Sequence, residues 1–359
     1  MNYMGIDYHK NFSHVTVVDE GGQVIKRSRI FNDRDSLSSL FGELEGEVKV
    51  VMEAAWNTLV MYDLLEEFSD DIKLAHPTKV KAIASAKIKT DEIDSRVLAD
   101  LLRANLIPEA HIPSVDVRVA RRVLRQRMFF VRMQTMVKNR IHSLVDRHPD
   151  IARYPGMKSD IFGKSGKEWL REVELPVEER KLLDGELKLL DVLFDLIKKS
   201  DRWLGELAKD NEAVELLRTI PGIGLFFAVL LWSEIDGIER FSNPKKIAAY
   251  AGLVPSTYSS GGKTFHGRIT KQGNKWLRWA MVEAALPATR NDFWLRSHYE
   301  HIKARKGSNT AKVAIARRLL TIVYRVLKEK RSYRSAKEQM QDNIKRSMEG
   351  KGLAAPTYF

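Results

Sequence analysis

The spacing of apolar and polar residues changes character along this 359-residue chain. At the N-terminal end, YMGID (3–7) and HVTVVD (14–19) are short apolar runs of strand type, Gly21-Gly22 marks a turn, and QVIKRSRIF (23–31) alternates like a half-buried strand. Helical spacing follows over 35–44, then a strand VKVVME (48–53), a helix over 57–67 and a short strand IKLAH (72–76). Three antiparallel strands followed by parallel strands with helical crossovers predict a mixed α/β sheet, in the order of ribonuclease H-like folds.

From Pro113 the period becomes helical. Residues 117–147 hold nine Lys/Arg and one acid, Asp146, interleaved with Val123, Phe130, Val137, Ile141 and Leu144. A second long amphipathic segment runs over about 177–207, through Leu183, Leu187, Leu190, Phe194, Ile197 and Leu204. The two predict either an antiparallel pair or an intermolecular coiled coil. Between them, Pro155, Gly156, Gly163 and Gly166 place a loop over 149–166. LLRTIPGIG (216–224) resembles a helix-hairpin-helix turn, where glycine lets backbone N–H groups approach a phosphate. A short helix near 243–251, a polar loop over 255–268 and helices near 273–286, 291–304 and 311–329 complete the chain. The expected organisation is therefore an α/β domain over 1–108, a basic helical coiled-coil region over 109–210, an α-helical domain over 211–334 and a loosely ordered tail over 335–359.

Composition adds two constraints. The chain has no cysteine, which excludes disulfides, thiolate catalysis and Cys-type metal sites. No basic leader with an apolar run and no stretch of 18 apolar residues is found, so a soluble cytoplasmic protein without membrane contact is expected. The net charge of +13 is segregated: residues 1–105 carry 13 Lys/Arg against 18 Asp/Glu, and the remainder 47 against 29. A basic remainder points to a polyanion partner. Arg118, Arg121, Arg122 and Arg125, within about two helical turns, are the expected phosphate contacts, with Lys138 and Arg140 further along.

The acidic part holds the candidate chemistry. Asp7 ends the first strand and Glu53 the fourth, and in a sheet of this order those strands can lie side by side. In KTDEIDSRVLADLL (89–102), Asp91 and Asp94 are helical neighbours and repel unless a cation lies between them. Four carboxylates from three elements suit Mg²⁺, and a pair of such ions about 3.5–4 Å apart would polarise a scissile phosphate. Taken singly, an Asp after a strand is often a turn residue, and Asp91 serves equally as a first-turn helix acid. His9, beside Asp7, reads as hydrogen-bonded to its surroundings and is left out of the catalytic set.

GIDYHK, the strand-ending VME, AHPTKVKAIA with AKIKTDEIDSRVLADLL, PGIG, and AAYAGLVPSTYSSGGKTFHGRITKQGNKWLRWAMVEAA together resemble the DEDD-type transposases of insertion sequences, a family that includes Piv-type DNA invertases. The resemblance spans nearly all of residues 1–330. It implies a RuvC-like N-terminal domain whose acids fall on Asp7, Glu53, Asp91 and Asp94, a coiled-coil middle, and a C-terminal transposase domain with a nucleophilic serine in Ser259-Ser260-Gly261. Ser260 is chosen because the family motif sets the serine directly before glycine; Ser259 stays open. The resemblance also implies a recombinase directed by a structured bridge RNA, working as homodimers that join into a homotetramer across donor and target DNA. One departure is AAWN after Glu53, where many relatives carry a Thr-Gly pair, which leaves the local loop open.

The serine chemistry is consistent with its neighbours. A hydroxyl needs deprotonation or a polarised phosphate to attack, and Lys263, His266, Arg268 and Lys271 surround the Ser/Gly stretch with donors. The alternatives are a metal-dependent nuclease that hydrolyses with water, and a non-catalytic nucleic-acid-binding protein.

Overall fold

Alternation along residues 2–8 sends Met4 and Ile6 to one side of a strand and Tyr3, Gly5 and Asp7 to the other. In the computed structural model, which describes residues 1–55, 57–84, 90–149, 160–260 and 262–333, this strand is β1 (Asn2–Tyr8). It pairs antiparallel with β2 (Phe12–Val18), and β2 pairs antiparallel with β3 (Val24–Phe31). On its other edge β1 pairs in parallel with β4 (Val48–Glu53), which pairs in parallel with β5 (Ile72–Ala75). The order β3-β2-β1-β4-β5 is the mixed sheet expected from the sequence.

Each face of this sheet has its own cover. Met4, Ile6, Val50, Met52 and Leu74 pack with Leu37 and Leu40 of α1 (Arg34–Gly42) and Met61 and Leu65 of α2 (Thr58–Leu65). On the opposite face Val51 and Ala75 meet Val80 of α3 (Pro77–Ile83) and Leu98, Leu101 and Leu102 of α4 (Asp91–Arg103). Burying each of those three leucines stabilises α4 on the sheet by about 2 kcal/mol. The close approach depends on Gly5, where an added Cβ would lie 2.0 Å from the Ser95 carbonyl oxygen and 2.5 Å from the Ala99 nitrogen. A buried hydroxyl pair, Thr16 Oγ1 and Ser95 Oγ at 2.8 Å, fixes the helix along the sheet.

The first compact unit runs to Pro113 and the second begins at Ser114, five residues beyond the boundary read from sequence. Residues 109–113 stay with the sheet because Ala110 N donates to Leu74 O, His76 N donates to Pro108 O, and Lys73 pairs with Glu109 at 2.6 Å.

In the second unit, α5 (Val115–Val145) and α7 (Val177–Ala208) form an antiparallel pair within the chain. The direction follows from the ion pairs: Arg127 meets Asp201, Arg140 meets Glu186, and His148 meets Glu179. Val137, Ile141 and Leu144 pack with Leu183, Leu187 and Leu190, and α6 (Lys164–Glu172) closes that core with Leu170. Of the expected loop over 149–166, residues 150–159 with Pro155 and Gly156 lie outside the described residues, as do Trp56, Lys89 and the tail expected over 335–359.

The remaining helices are α8 (Glu212–Arg218), α9 (Leu225–Ile235), α10 (Pro244–Tyr250), α11 (Lys275–Asn291), α12 (Phe293–Lys306) and α13 (Ser308–Lys328). Two expectations change here. Gly222 of PGIG, at φ +82°, is required by packing: a Cβ there would lie 2.6 Å from Ala284 O and 2.8 Å from Ala288 N of α11, so its glycine serves helix contact. The segment expected as a polar loop is a β-hairpin, β6 (Pro255–Ser260) and β7 (Lys263–Ile269). Ser260 pairs with Lys263, so the ladder runs to within two residues of the turn, and Gly262 has φ +75°.

Candidate active site

Strand register assembles the acidic site. Ile6 pairs with Met52 in the parallel ladder, so Asp7 and Glu53 follow at the ends of neighbouring strands. Gly5 and Val51 both face α4, and alternation therefore points Asp7 and Glu53 to that same face. Asp91 and Asp94 arrive on the first turn of α4, where their charges also suit the helix dipole. Thr90 caps that turn, its Oγ1 accepting from Ile93 N at 3.3 Å. After Glu53, the buried Thr58 hydroxyl accepts from Ala55 N at 2.7 Å and lies 3.3 Å from Glu53 O, which settles the backbone of Ala54 and Ala55 beside the departure noted in sequence.

The electrostatics mark Asp7 as the centre. Burial pushes its carboxyl above the ordinary value of 3.8; His9 draws it down, the Asp91 and Asp94 carboxylates add to the rise, and His14 draws it down. Asp7, His9 and Asp91 each offer a ligand atom, all within 4.8 Å of one another.

His9 is the residue whose sequence reading needs correcting. Its Nε2 lies 3.3 Å from Asp7 Oδ2 and 3.2 Å from Asp91 Oδ2, and His14 Nε2 lies 3.5 Å from Asp91 Oδ2. His9 Nε2 is shielded from solvent, yet its contacts to the carboxylates lack hydrogen-bond geometry. Distance alone would suggest ion pairs, but the angles decide: the nitrogen is close to both acids and bonded to neither. Asp7, His9 and Asp91 thus form a donor set whose chemistry fits a divalent cation. The ring is held by Phe12, 5.0 Å away between centroids. The strand register adds His14, since Asp7 and His14 are cross-strand partners and share a face.

Ser259 and Ser260 lie in the other unit, exposed near the end of β6. Ser259 Oγ is 3.3 Å from Thr264 Oγ1, while Ser260 pairs with Lys263 in the ladder. Gly261 lies outside the described residues. The hairpin base is tightly held: Thr270 N donates to Val254 O, Asn274 N to Tyr250 O, and Arg278 Nη1 to Ala251 O at 2.8 Å. Asn274 Oδ1 accepts from Trp276 N and Leu277 N to cap α11, while its Nδ2 donates to Glu234 Oε2 at 2.8 Å. Gly273 lets the Tyr250 carbonyl approach, since a Cβ would lie 2.3 Å from that oxygen. The ITKQGN segment is therefore the foundation of the hairpin, with Arg268 and Lys271 exposed at that end and Lys263 exposed at the tip.

The arginine row of α5 is not presented as a unit. Glu234 is only 2% exposed, and Arg125 Nη2 donates to it at 2.6 Å while Arg121 Nε donates to Ser233 O at 2.9 Å, 3.8 Å from the same carboxylate. Arg121 and Arg125 thus face a buried acid, so part of the charge expected to meet phosphate is taken up within the fold. Lys138 stacks between the Phe162 and Phe194 rings, and Arg140 pairs with Glu186 at 2.5 Å. Arg122 is exposed and Arg118 half-buried.

The profile of the family described as "Transposase IS116/IS110/IS902 family" matches residues 214–300, and the transposase profile of DEDD type from IS110 elements matches residues 4–149. The chain is 25% identical over 348 residues to the transposase for insertion sequence element IS1111A of Coxiella burnetii, covering 92% of this chain and 91% of that protein. It is 26% identical to the transposase for element IS1328 of Yersinia enterocolitica, covering 79% and 82%, and 23% identical to a probable family 20 transposase of Pseudomonas aeruginosa, covering 93% and 99%. With the two profiles matching in chain order, one over the carboxylates and the other over the serine hairpin, the chain is similar along its length to the DEDD transposases of the IS110/IS116/IS902 family, and these matches support an insertion-sequence transposase, an enzyme acting on DNA.

Proposed function

We propose that this transposase cuts and rejoins DNA through a serine-linked exchange, with Asp7, Glu53, Asp91 and Asp94 holding a divalent cation and Ser260 as nucleophile. The observation that carries the metal half is the Asp7–His9–Asp91 cluster with its orphaned His9 nitrogen. Oxygen donors favour Mg²⁺, the ion proposed here, and the imidazole nitrogen makes Mn²⁺ a strong competitor. When bound, the cation stabilises negative charge on the scissile phosphate.

The chain's own groups carry the rest. Ser260 Oγ attacks phosphorus and gives up its proton as the P–O3′ bond breaks, leaving a 5′-phosphoserine and a 3′-hydroxyl that has taken up a proton. Attack by a 3′-hydroxyl of a second strand reverses the step and frees the serine. One phosphodiester is exchanged for another, so no high-energy cofactor is needed. Lys263, the ladder partner of Ser260, places positive charge beside the hydroxyl, while Arg268 and Lys271 extend that charge toward the hairpin base, where the DNA backbone would run. Ser260 is favoured over Ser259 because Ser259 is engaged with Thr264 on the other face of the hairpin.

Target choice by a structured guide RNA, and dimers assembling into a tetramer across donor and target DNA, belong to the same proposal. The basic remainder of the chain supports a polyanion guide. Pairing between copies is supported by a second apolar seam on α7, away from α5: Leu182, Leu189 and Trp203 are exposed, Leu196 half-buried, and all are spaced by seven residues. Ser260→Ala tests the reading in a strand-exchange assay. The expected outcome is loss of both cutting and joining with DNA binding retained; continued cutting would replace it with water hydrolysis. Asp91→Ala should likewise bind and fail to react.

A further inference from the structure

The β6–β7 hairpin leaves two aromatic side chains in solvent: Tyr258 is 72% exposed and Phe265 67%. A single exposed hydrophobic residue is ordinary, but these two are cross-strand partners, so their rings stand on one face. Alternation puts Ser260 and its partner Lys263 on that same face, two residues nearer the tip. The other face carries the Ser259–Thr264 hydroxyl pair. The charge around the hairpin is one-sided, since residues 240–282 contain eight Lys/Arg and no acid.

We propose that Tyr258 and Phe265 form a stacking platform for unpaired DNA bases beside the phosphate presented to Ser260. Aromatic rings accept any base face, but inside a duplex those faces are covered, so the platform takes nucleotides that have left the stack. The positive surroundings suit the DNA backbone and disfavour a basic partner. The anchored hairpin base holds the platform in place while its tip stays accessible. The inference rests on the serine reading only for where the phosphate lies; the stacking itself does not require it.

The test uses the full chain and a single-stranded DNA oligonucleotide carrying 2-aminopurine, with a blunt duplex of the same sequence beside it. Wild type and Ser260→Ala are expected to bind the single strand and quench its fluorescence. Tyr258→Ala and Phe265→Ala should each weaken single-strand affinity roughly fivefold or more, with duplex affinity and unfolding midpoint unchanged, and Tyr258→Phe should behave as wild type. Alanine variants that bind and quench like wild type overturn the proposal. So does equal loss for duplex and single strand, loss confined to an RNA oligonucleotide, or a change of oligomeric state, which would make the face a protein contact. Stacking without a serine adduct would leave the platform standing and remove the serine reading; an adduct without stacking would do the reverse.

Discussion

At the scale of single residues, the site is defined by groups the fold holds against their preference. Asp7 is raised above 3.8 by burial first and by neighbouring acids after it. An acid raised on folding contributes stability below its unfolded pKa, and that contribution is lost as pH rises from 3.8 through the folded value. At neutral pH the ionised Asp7 is therefore a net cost to the metal-free protein. Asp7→Asn is expected to raise the melting temperature measured without divalent cations at pH 7, to lose that advantage toward acid pH, and to abolish strand exchange. His9 gives a second prediction: titration calorimetry should show Mn²⁺ bound more tightly than Mg²⁺, with His9→Ala lowering Mn²⁺ affinity roughly 10- to 100-fold. Equal Mn²⁺ affinity in the variant would remove His9 from the ligand set. The four proposed acids could be picked out in sequence because each lies near a strand end or opens a helix. His9 and His14 were not, since their role depends on the β1–β2 register that places His14 opposite Asp7.

At the scale of elements, α4 lies where it does because Gly5 leaves room for its backbone and Leu98, Leu101 and Leu102 hold it there. Gly5→Val should destabilise the first unit by about 1–3 kcal/mol or more through overpacking, read as a lowered denaturant midpoint. On α5, Arg125→Ala leaves Glu234 short of its closest charge partner and should cost about 3 kcal/mol of stability, a loss that Arg122→Ala would not share. Periodicity showed that α5 is basic and amphipathic. It could not show which arginines face inward, because Glu234 is more than a hundred positions away in the chain. The serine hairpin was misread as a loop for a related reason: its residues are mostly polar, and only the Gly-Gly connection between alternating runs signals strands. The heptad seam on α7 is tested at this scale too. Leu182→Glu combined with Leu189→Glu should convert dimers to monomers in sedimentation velocity without lowering helix content.

At the scale of the molecule, charge and chemistry are divided between two units, the acidic one holding carboxylates and the basic one holding the serine. None of the described helices is long and apolar enough to cross a membrane. In the proposed reaction the carboxylates come from the first unit and the serine from the second, so assembly on DNA is the control this proposal expects on cutting. The most direct test is to trap the reaction on a nicked DNA substrate with Mg²⁺ or Mn²⁺ present and map the attachment by mass spectrometry. The account predicts a 5′-phosphate linked to Ser260, absent in Ser260→Ala and in Asp91→Ala. An adduct on another residue, or DNA cut by Ser260→Ala with no protein attached, would contradict it.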